Sequence, residues 1–185
     1  MSTLYFAAAS LDGFIADEQH GLDWLLQFDE GGEEIERFVA GVGALAMGAS
    51  TYEWLLRHHV KPGAADGQPW PYAVPSWVFS SRELPRLPGA DIRFVRGDVR
   101  PVHADMLAAA GGRHVWVMGG GELAGQFHDH GLLDELVLTV AAVTLGSGLP
   151  LLPRRIATPP MRLREARAIG EHLALLRFVL PTPRA

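Results

Sequence analysis

Three consecutive glycines, at 119–121, lie where an apolar run meets a segment with helical spacing. A strand that ends in glycines and leads into a helix suits an anion, because first-turn N–H groups lack helical partners and the helix dipole adds partial positive charge. Glycines also let a phosphate approach the backbone. The segment matches the dinucleotide-binding pattern only loosely, since Ala141 stands where an acid is usual. A tight turn without a ligand is the alternative.

Two other predicted strand ends carry groups that phosphate prefers. Gly48 is followed by Ser50 and Thr51, and either hydroxyl could cap the helix predicted after it. Residues 80–82, Ser-Ser-Arg, offer two hydroxyls and a guanidinium at the end of a short strand. In a parallel sheet these ends share one edge, where ligands bind. We therefore predict an extended ligand with several phosphates, although each loop by itself is explained by plain capping.

The histidines do not predict a metal site. His128 and His130 are two residues apart on a predicted helix and do not share a face, and no cysteine is present to complete a ligand set. His58 and His59 are better explained as charges at a helix C-terminus. Asp12, within the sequence SLDG, is typical of a turn.

The spacing of apolar residues predicts the elements that must position these loops. Strands are predicted at 4–9, 42–47, 77–79, 92–95, 114–118, 136–143 and 173–180, and helices at 33–40, 51–59, 102–110 and 122–130. This alternation is typical of an α/β protein with a mostly parallel sheet and helices on its faces. Since no helix is predicted after 143, the last strands should pair antiparallel at one edge.

The composition limits the class of protein. The chain has 185 residues, of which 48% are hydrophobic and 20% charged, and we expect one domain spanning 1–185. A net charge of -5 argues against nucleic acid as a partner, because phosphate neutralisation needs clustered cations. No segment suggests a membrane span or a signal peptide. With no cysteines, the sequence suits a reducing cytoplasm.

The motif order resembles dihydrofolate reductase: MGASTYE, a strand ending in SS, then GGG with a helix containing QF, then LVLT. The segments SLDGFIA and LTVAAVTLGSGLPLLP resemble more closely the reductase domain of bacterial riboflavin biosynthesis, the RibD C-terminal domain, and its stand-alone relatives. The resemblance covers about 1–180. It implies a three-layer α/β/α dihydrofolate reductase-like fold, with a mostly parallel eight-stranded sheet and an antiparallel C-terminal edge.

The resemblance also implies NADPH as the cofactor. It places Gly48, Ser50 and Thr51 at the phosphates, Ser80, Ser81 and Arg82 at the adenosine 2′-phosphate, Gly120, Gly121, Glu122 and Leu123 at the pyrophosphate, and Ala8 and Ile15 beside the nicotinamide. It further implies a cis peptide bond between Gly119 and Gly120. The chain departs from the family at Ala49, where relatives often carry an arginine that holds the 2′-phosphate, so NADH is not excluded and Arg82 could compensate.

For the proton that accompanies hydride transfer, the resemblance points to Asp29, five residues after Trp24. It places Asp29 on the helix after Trp24, facing the nicotinamide, with Thr139 close enough to share a hydrogen bond. The alternative is that Asp29 caps a helix at the surface.

These features predict an NADPH-dependent reductase of a small heterocycle, similar to 5-amino-6-(5-phosphoribosylamino)uracil reductase of riboflavin biosynthesis. A true dihydrofolate reductase is one alternative, and it would need an arginine in the folate cleft, for which only Arg57 is near. The other is a non-catalytic NADP(H)-binding protein. We also expect a homodimer, with strand 136–143 and the segment LGSGLPLLP at a sheet-edge interface.

Overall fold

The computed structural model describes residues 1–181 of the chain. The strands are β1 (Thr3–Ser10), β2 (Phe14–Ala16), β3 (Val42–Gly48), β4 (Ser76–Phe79), β5 (Ile92–Val95), β6 (His114–Gly119), β7 (Glu135–Ala141), β8 (Leu149–Pro150), β9 (Arg162–Ile169) and β10 (Leu173–Val179). The α-helices are α1 (Asp23–Leu26), α2 (Gly32–Ala40), α3 (Ala49–Leu55), α4 (Val99–Ala110) and α5 (Gly121–Asp129). A π-helical turn, Leu56–Val60, continues α3.

Eight strands form one sheet in the order β5-β4-β3-β6-β1-β7-β10-β9. The pairs from β5 across to β7 are parallel, whereas β10 runs antiparallel to both β7 and β9. β2 and β8 form a separate two-stranded sheet. The predicted architecture, a mostly parallel eight-stranded sheet with an antiparallel C-terminal edge, is confirmed.

Side chains of the central strands alternate between two hydrophobic cores. Tyr5 of β1 packs in the core that contains residues of α4 and α5, while the next residue, Phe6, packs in the core that contains residues of α3. In β3, Ala46 faces the first core and Leu45 the second. Since both faces are covered, these strands form continuous apolar runs in the sequence, which is why the sequence predicts them.

The differences from the predicted elements lie where the sequence is polar or the element is short. β9 was not predicted because it is an edge strand whose side chains are mostly exposed, and its Arg164 and Arg167 form ion pairs with Glu135 and Glu34. The start of α4 was predicted three residues late. The Asp98 carboxylate accepts a hydrogen bond from the backbone N–H of Arg100 at 2.9 Å and caps this helix.

The expected position of a dimer interface is wrong. The strand predicted at 136–143 is β7, which is flanked by β1 and β10 and so has no free edge. Leu149 and Pro150 of the segment LGSGLPLLP pair with β2 rather than extend the main sheet. Within residues 1–181, no helix has the length and apolar character needed to cross a membrane.

Candidate functional site

A cavity of about 1020 Å³ opens at one end of the sheet, where the parallel strands have their carboxyl ends. Its lining includes one residue from each of five adjacent strands, in sheet order Gly48, Gly119, Ala8, Thr139 and Leu173. With strands about 4.8 Å apart, this row is roughly 19 Å long. A cavity of this length has room for an extended ligand, and two of the three predicted strand ends, at Gly48 and at 119–121, line it.

The three positions 119–121 differ in whether the structure requires a glycine there. Gly119 has a φ of 140°, a conformation that disfavours a side chain. A Cβ on Gly121 would collide with the carbonyl oxygens of Pro150 and Leu151. Gly120 has an ordinary φ of -76°, and a Cβ there would meet no atom closer than Cδ1 of Ile15, at 3.8 Å. The missing side chain at Gly120 thus leaves space at the cavity wall that the protein does not fill.

Among residues 1–181, four α-helices begin at the cavity without a side-chain cap, and two of them, α3 and α5, follow a glycine at the end of a parallel strand. α5 begins after Gly120 and α3 begins after Gly48, and in neither helix does a capping side chain accept a hydrogen bond from the N–H groups of the first turn. The prediction that Ser50 or Thr51 caps a helix is therefore wrong, because both lie inside the first turn of α3. Both still line the cavity. The uncapped N–H groups suit an anion such as a pyrophosphate.

Most of the predicted cofactor contacts come together at this cavity. The lining contains Ala8, Ile15, Gly48, Ser50, Thr51, Gly119, Gly120, Gly121, Glu122 and Leu123. The peptide bond between Gly119 and Gly120 is cis. The Glu122 carboxylate is turned to the Arg154 guanidinium, with two contacts of 2.9 Å, and this hydrogen-bonded pairing lowers the pKa of Glu122. Glu122 therefore adds little net charge to the wall.

Residues 80–82 lie outside the cavity lining. The Ser80 hydroxyl accepts from the backbone N–H of Arg82 and donates to its carbonyl, both at 2.9 Å, so it closes a local turn. The Arg82 guanidinium donates two hydrogen bonds of 3.0 Å to the Glu53 carboxylate on α3. Ser81 is exposed beside them. The expectation that these residues share one continuous site with the glycines is not met within the described lining.

The expected position of Asp29 is wrong. α1 ends at Leu26, and Asp29 lies in the following loop, where it is exposed and absent from the cavity lining. It is not a helix cap either, because α2 is capped by Gly31. Thr139 does line the cavity and is buried, but no hydrogen bond joins it to Asp29 in the described part of the chain. Thr139 is instead the register partner of Ala8 on the neighbouring strand.

The acid at the cavity wall is Glu30. Its carboxylate accepts hydrogen bonds from the backbone N–H groups of Glu171, at 3.0 Å, and His172, at 3.1 Å, in the turn between β9 and β10. The bond from Glu171, together with the contacts to His172, lowers the pKa of Glu30. Glu30 thus clamps the loop before α2 to the sheet and stays ionised at neutral pH. Sequence reasoning passed over it in favour of its neighbour.

The remaining candidates have structural roles. The Asp12 carboxylate accepts from the Ser10 hydroxyl at 2.6 Å and from the N–H of Gly146 at 2.7 Å, so it fastens its turn to a distant loop. Arg57 is exposed in the π-helical turn, away from the lining, which removes the arginine that a dihydrofolate reductase would need. Among residues 1–181, no group of three or more acids and histidines could hold a metal ion.

A cavity at the carboxyl ends of this sheet, with uncapped helix starts along it, defines a dihydrofolate reductase-like α/β protein with a nucleotide-compatible site. The chain belongs to the family described as the RibD C-terminal domain, which it matches over residues 3–175. It is 30% identical to the uncharacterized protein YwjB of Bacillus subtilis (strain 168) over 174 residues, which are 94% of this chain and 95% of that protein.

Solved structures share this fold. A putative riboflavin biosynthesis protein from Shewanella sp. PV-4 superposes with a TM-score of 0.75 at 26% identity, covering 98% of this chain and 99% of that one. The TM-score is 0.67, at 17% identity, for a diaminohydroxyphosphoribosylaminopyrimidine deaminase/5-amino-6-(5-phosphoribosylamino)uracil reductase from Thermotoga maritima. The match covers 97% of this chain and 56% of that one. The TM-score is 0.63, at 16% identity, for dihydrofolate reductase from Enterococcus faecalis complexed with NADP(H) and RAB-propyl. The match covers 97% of this chain and 96% of that one.

Proposed function

We propose that this protein is an NADPH-dependent reductase of a small heterocyclic substrate, similar in its reaction to 5-amino-6-(5-phosphoribosylamino)uracil reductase. The observation that carries the proposal is Gly120. Neither its φ nor its packing requires a glycine, because a Cβ there would make only an ordinary van der Waals contact with Ile15, yet a glycine stands beside an uncapped helix start at the cavity wall. A pyrophosphate that approaches the backbone there explains both features.

The residues present fit a dinucleotide. The first turns of α3 and α5 would hold its phosphates, and Ala8, at the middle of the row, and Ile15, on β2, would flank the nicotinamide ring. Bound NADPH would supply the hydride. Relatives often carry an arginine at the position of Ala49 to hold the 2′-phosphate. Here the nearest candidates for that role are Arg82, which is hydrogen-bonded to Glu53 on α3, and its neighbour Ser81.

Thr139 is the side chain best placed to orient the substrate. Its hydroxyl is on the strand beside Ala8, and both residues line the cavity. A hydroxyl can donate to a ring nitrogen or carbonyl, or accept from an N–H group. Glu30 is held as a carboxylate by the backbone bonds from 171 and 172, so it is a poor proton donor at neutral pH. We propose that water at the cavity mouth delivers the proton while Thr139 holds the acceptor group.

One experiment tests this function in two stages. The purified protein is titrated with NADPH and with NADH, and is then supplied with pterins and aminopyrimidines while loss of nicotinamide absorbance is followed. We expect saturable NADPH binding and turnover of at least one heterocycle. Thr139→Val should lower the turnover rate without weakening the binding of NADPH. If neither NADPH nor NADH binds, the proposal is overturned.

A non-catalytic NADP(H)-binding protein is the second candidate. The observation that favours it is the exposed position of Asp29, which leaves the cavity without the acid that the resemblance assigned. The same experiment separates the two: NADPH binding without turnover of any heterocycle, and with no effect of Thr139→Val, would support this alternative.

A further inference from the structure

The cavity has an apolar wall at the end opposite the glycines. Near the start of β10, Glu30 and Leu173 mark this end, and the lining from the segment between β2 and α2 and from α2 is Leu22, Leu25, Leu26, Phe28 and Ile35. These side chains come from the N-cap of α1, from α1, from the loop after it and from α2. We call this surface the leucine wall.

The leucine wall is only partly covered by other parts of the protein. α1 buries none of its residues, and Leu26 is 60% exposed. α2 has no fully buried residue either. Apolar side chains left open in a concave surface are typical of a ligand site, because burying them against an apolar ligand is favourable at about 25 cal/mol per Å².

The charge at this end is negative. Glu30 is the acid of the lining here, and its hydrogen bonds to the turn at 171–172 keep it ionised. Among the lining residues within 1–181 there is no lysine or arginine; His20 is the lining side chain that can carry a positive charge, and α2 begins at the lining without a side-chain cap. Arg154, close to the opposite end, is paired with Glu122 and Asp129. A phosphate packed against the leucine side chains would lie on apolar groups near the Glu30 carboxylate, with no lysine or arginine of the described lining to pair with it, which is unfavourable both electrostatically and by desolvation.

We infer that the substrate's heterocycle carries an uncharged, apolar substituent that packs on the leucine wall, and not a phosphorylated sugar. This inference rests on the proposed function, because it assigns the substrate to the part of the cavity that the cofactor leaves free. It also separates this chain's substrate from the phosphoribosylamino compound in the name of the Thermotoga maritima relative.

The test uses matched pairs of ligands with the protein saturated with NADPH. Each pair shares a pterin or an aminopyrimidine ring; one member carries a phenyl group and the other a phosphorylated hydroxymethyl or ribosyl group. The phenyl member of at least one pair should bind at least tenfold more tightly than its phosphorylated partner. Equal or tighter binding of the phosphorylated members, or no binding of any phenyl member, would overturn the inference.

A charge placed on the wall gives the second measurement. Leu26→Arg substitutes an exposed side chain, so the fold should tolerate it, and it should tighten the phosphorylated members at least tenfold while it weakens the phenyl members. The matched control is Leu163→Arg, also at an exposed leucine, 55% exposed on β9 and outside the lining. Leu163→Arg should change the affinity of neither the phosphorylated nor the phenyl members. The inference is wrong if Leu26→Arg leaves the preference unchanged. NADPH binding, followed in the same samples, reports separately on the proposed function.

Discussion

The two ends of the cavity are built differently. The glycine end lies on β3 and β6, two interior strands whose neighbours on both sides are parallel. The leucine wall rests on α1 and α2, in which no residue is fully buried. At the first end the backbone itself forms the site, through Gly120 and the helix starts. At the second, side chains on short helices form it, and the Glu30 clamp holds them to the sheet.

This difference suggests that the two ends of the cavity bind different ligands. A rigid backbone site suits a group that is the same in every member of a family, whereas side chains on lightly anchored helices can change with the substrate. We expect the two ends to respond to substitution as separate parts.

The largest effect is expected at Gly121. In Gly121→Ala the new methyl group would meet the backbone carbonyls of Pro150 and Leu151, and backbone cannot move aside as a flexible side chain can. Overpacking of this kind costs about 3 kcal/mol. Chemical denaturation should show this loss in the free energy of unfolding. Stability equal to that of the wild type would show that the loop at 150–151 does not press on α5.

Gly120→Ala should separate binding from stability. Because a Cβ there would make an ordinary van der Waals contact with Ile15 and no clash, the free energy of unfolding should change by less than about 1 kcal/mol. The same methyl group occupies the surface that a pyrophosphate would approach, so NADPH should bind about tenfold more weakly, or about 1.4 kcal/mol. Unchanged NADPH affinity in a stable Gly120→Ala protein would place the cofactor elsewhere.

The Glu30 clamp should make the leucine wall sensitive to acid. The folded-state pKa of Glu30 is lowered by its bonds to the turn, so its contribution to stability is present above the ordinary glutamate pKa of about 4.3 and is lost as pH falls through the lower folded value. Glu30→Gln should lower Tm by a few degrees at neutral pH, and the difference from wild type should shrink below about pH 4.

Asp29→Asn is the matched control for this comparison. It changes the neighbouring acid, which is exposed and lies outside the cavity lining, and it should leave Tm close to wild type at every pH. A larger effect of Asp29→Asn than of Glu30→Gln would reverse the assignment of the clamp.

The smallest effect concerns cofactor choice. Arg82 is paired with Glu53 at the surface, so part of its charge is neutralised. Glu53→Gln should free the guanidinium and improve NADPH over NADH by about twofold to threefold, the range of an exposed ion pair. Arg82→Ala should remove that gain when both changes are combined. If Glu53→Gln alters both cofactors equally, Arg82 does not contact the 2′-phosphate.

The sequence predicts the glycine end because its signals are local. An apolar run, glycines and a helical pattern fix the strand, the turn and the helix start within a few residues. The same holds for the parallel order, since β1, β3 and β6 are buried on both faces. Asp29 was misplaced because α1 has only four residues, and the register of such a short element is set by packing and not by its own spacing.

Glu30 and the leucine wall could not be predicted in this way. The partners of Glu30 are backbone groups at 171 and 172, in a turn more than a hundred residues away that no local pattern links to it. β9 was missed for a related reason: its exposed charged residues give no alternation, and its pairing with β10 decides its conformation. Long-range contacts, not composition, determine these parts.

The most direct test of the central claim is a fluorescence titration of the wild type and of Gly120→Ala with NADPH. Trp54 and Trp116 line the cavity, so tryptophan quenching and energy transfer to the nicotinamide report on it directly. We predict saturable quenching for the wild type, and a curve displaced about tenfold to higher NADPH for Gly120→Ala. Superimposable curves, or no saturable quenching of the wild type, would contradict the assignment of the glycine end as the cofactor site.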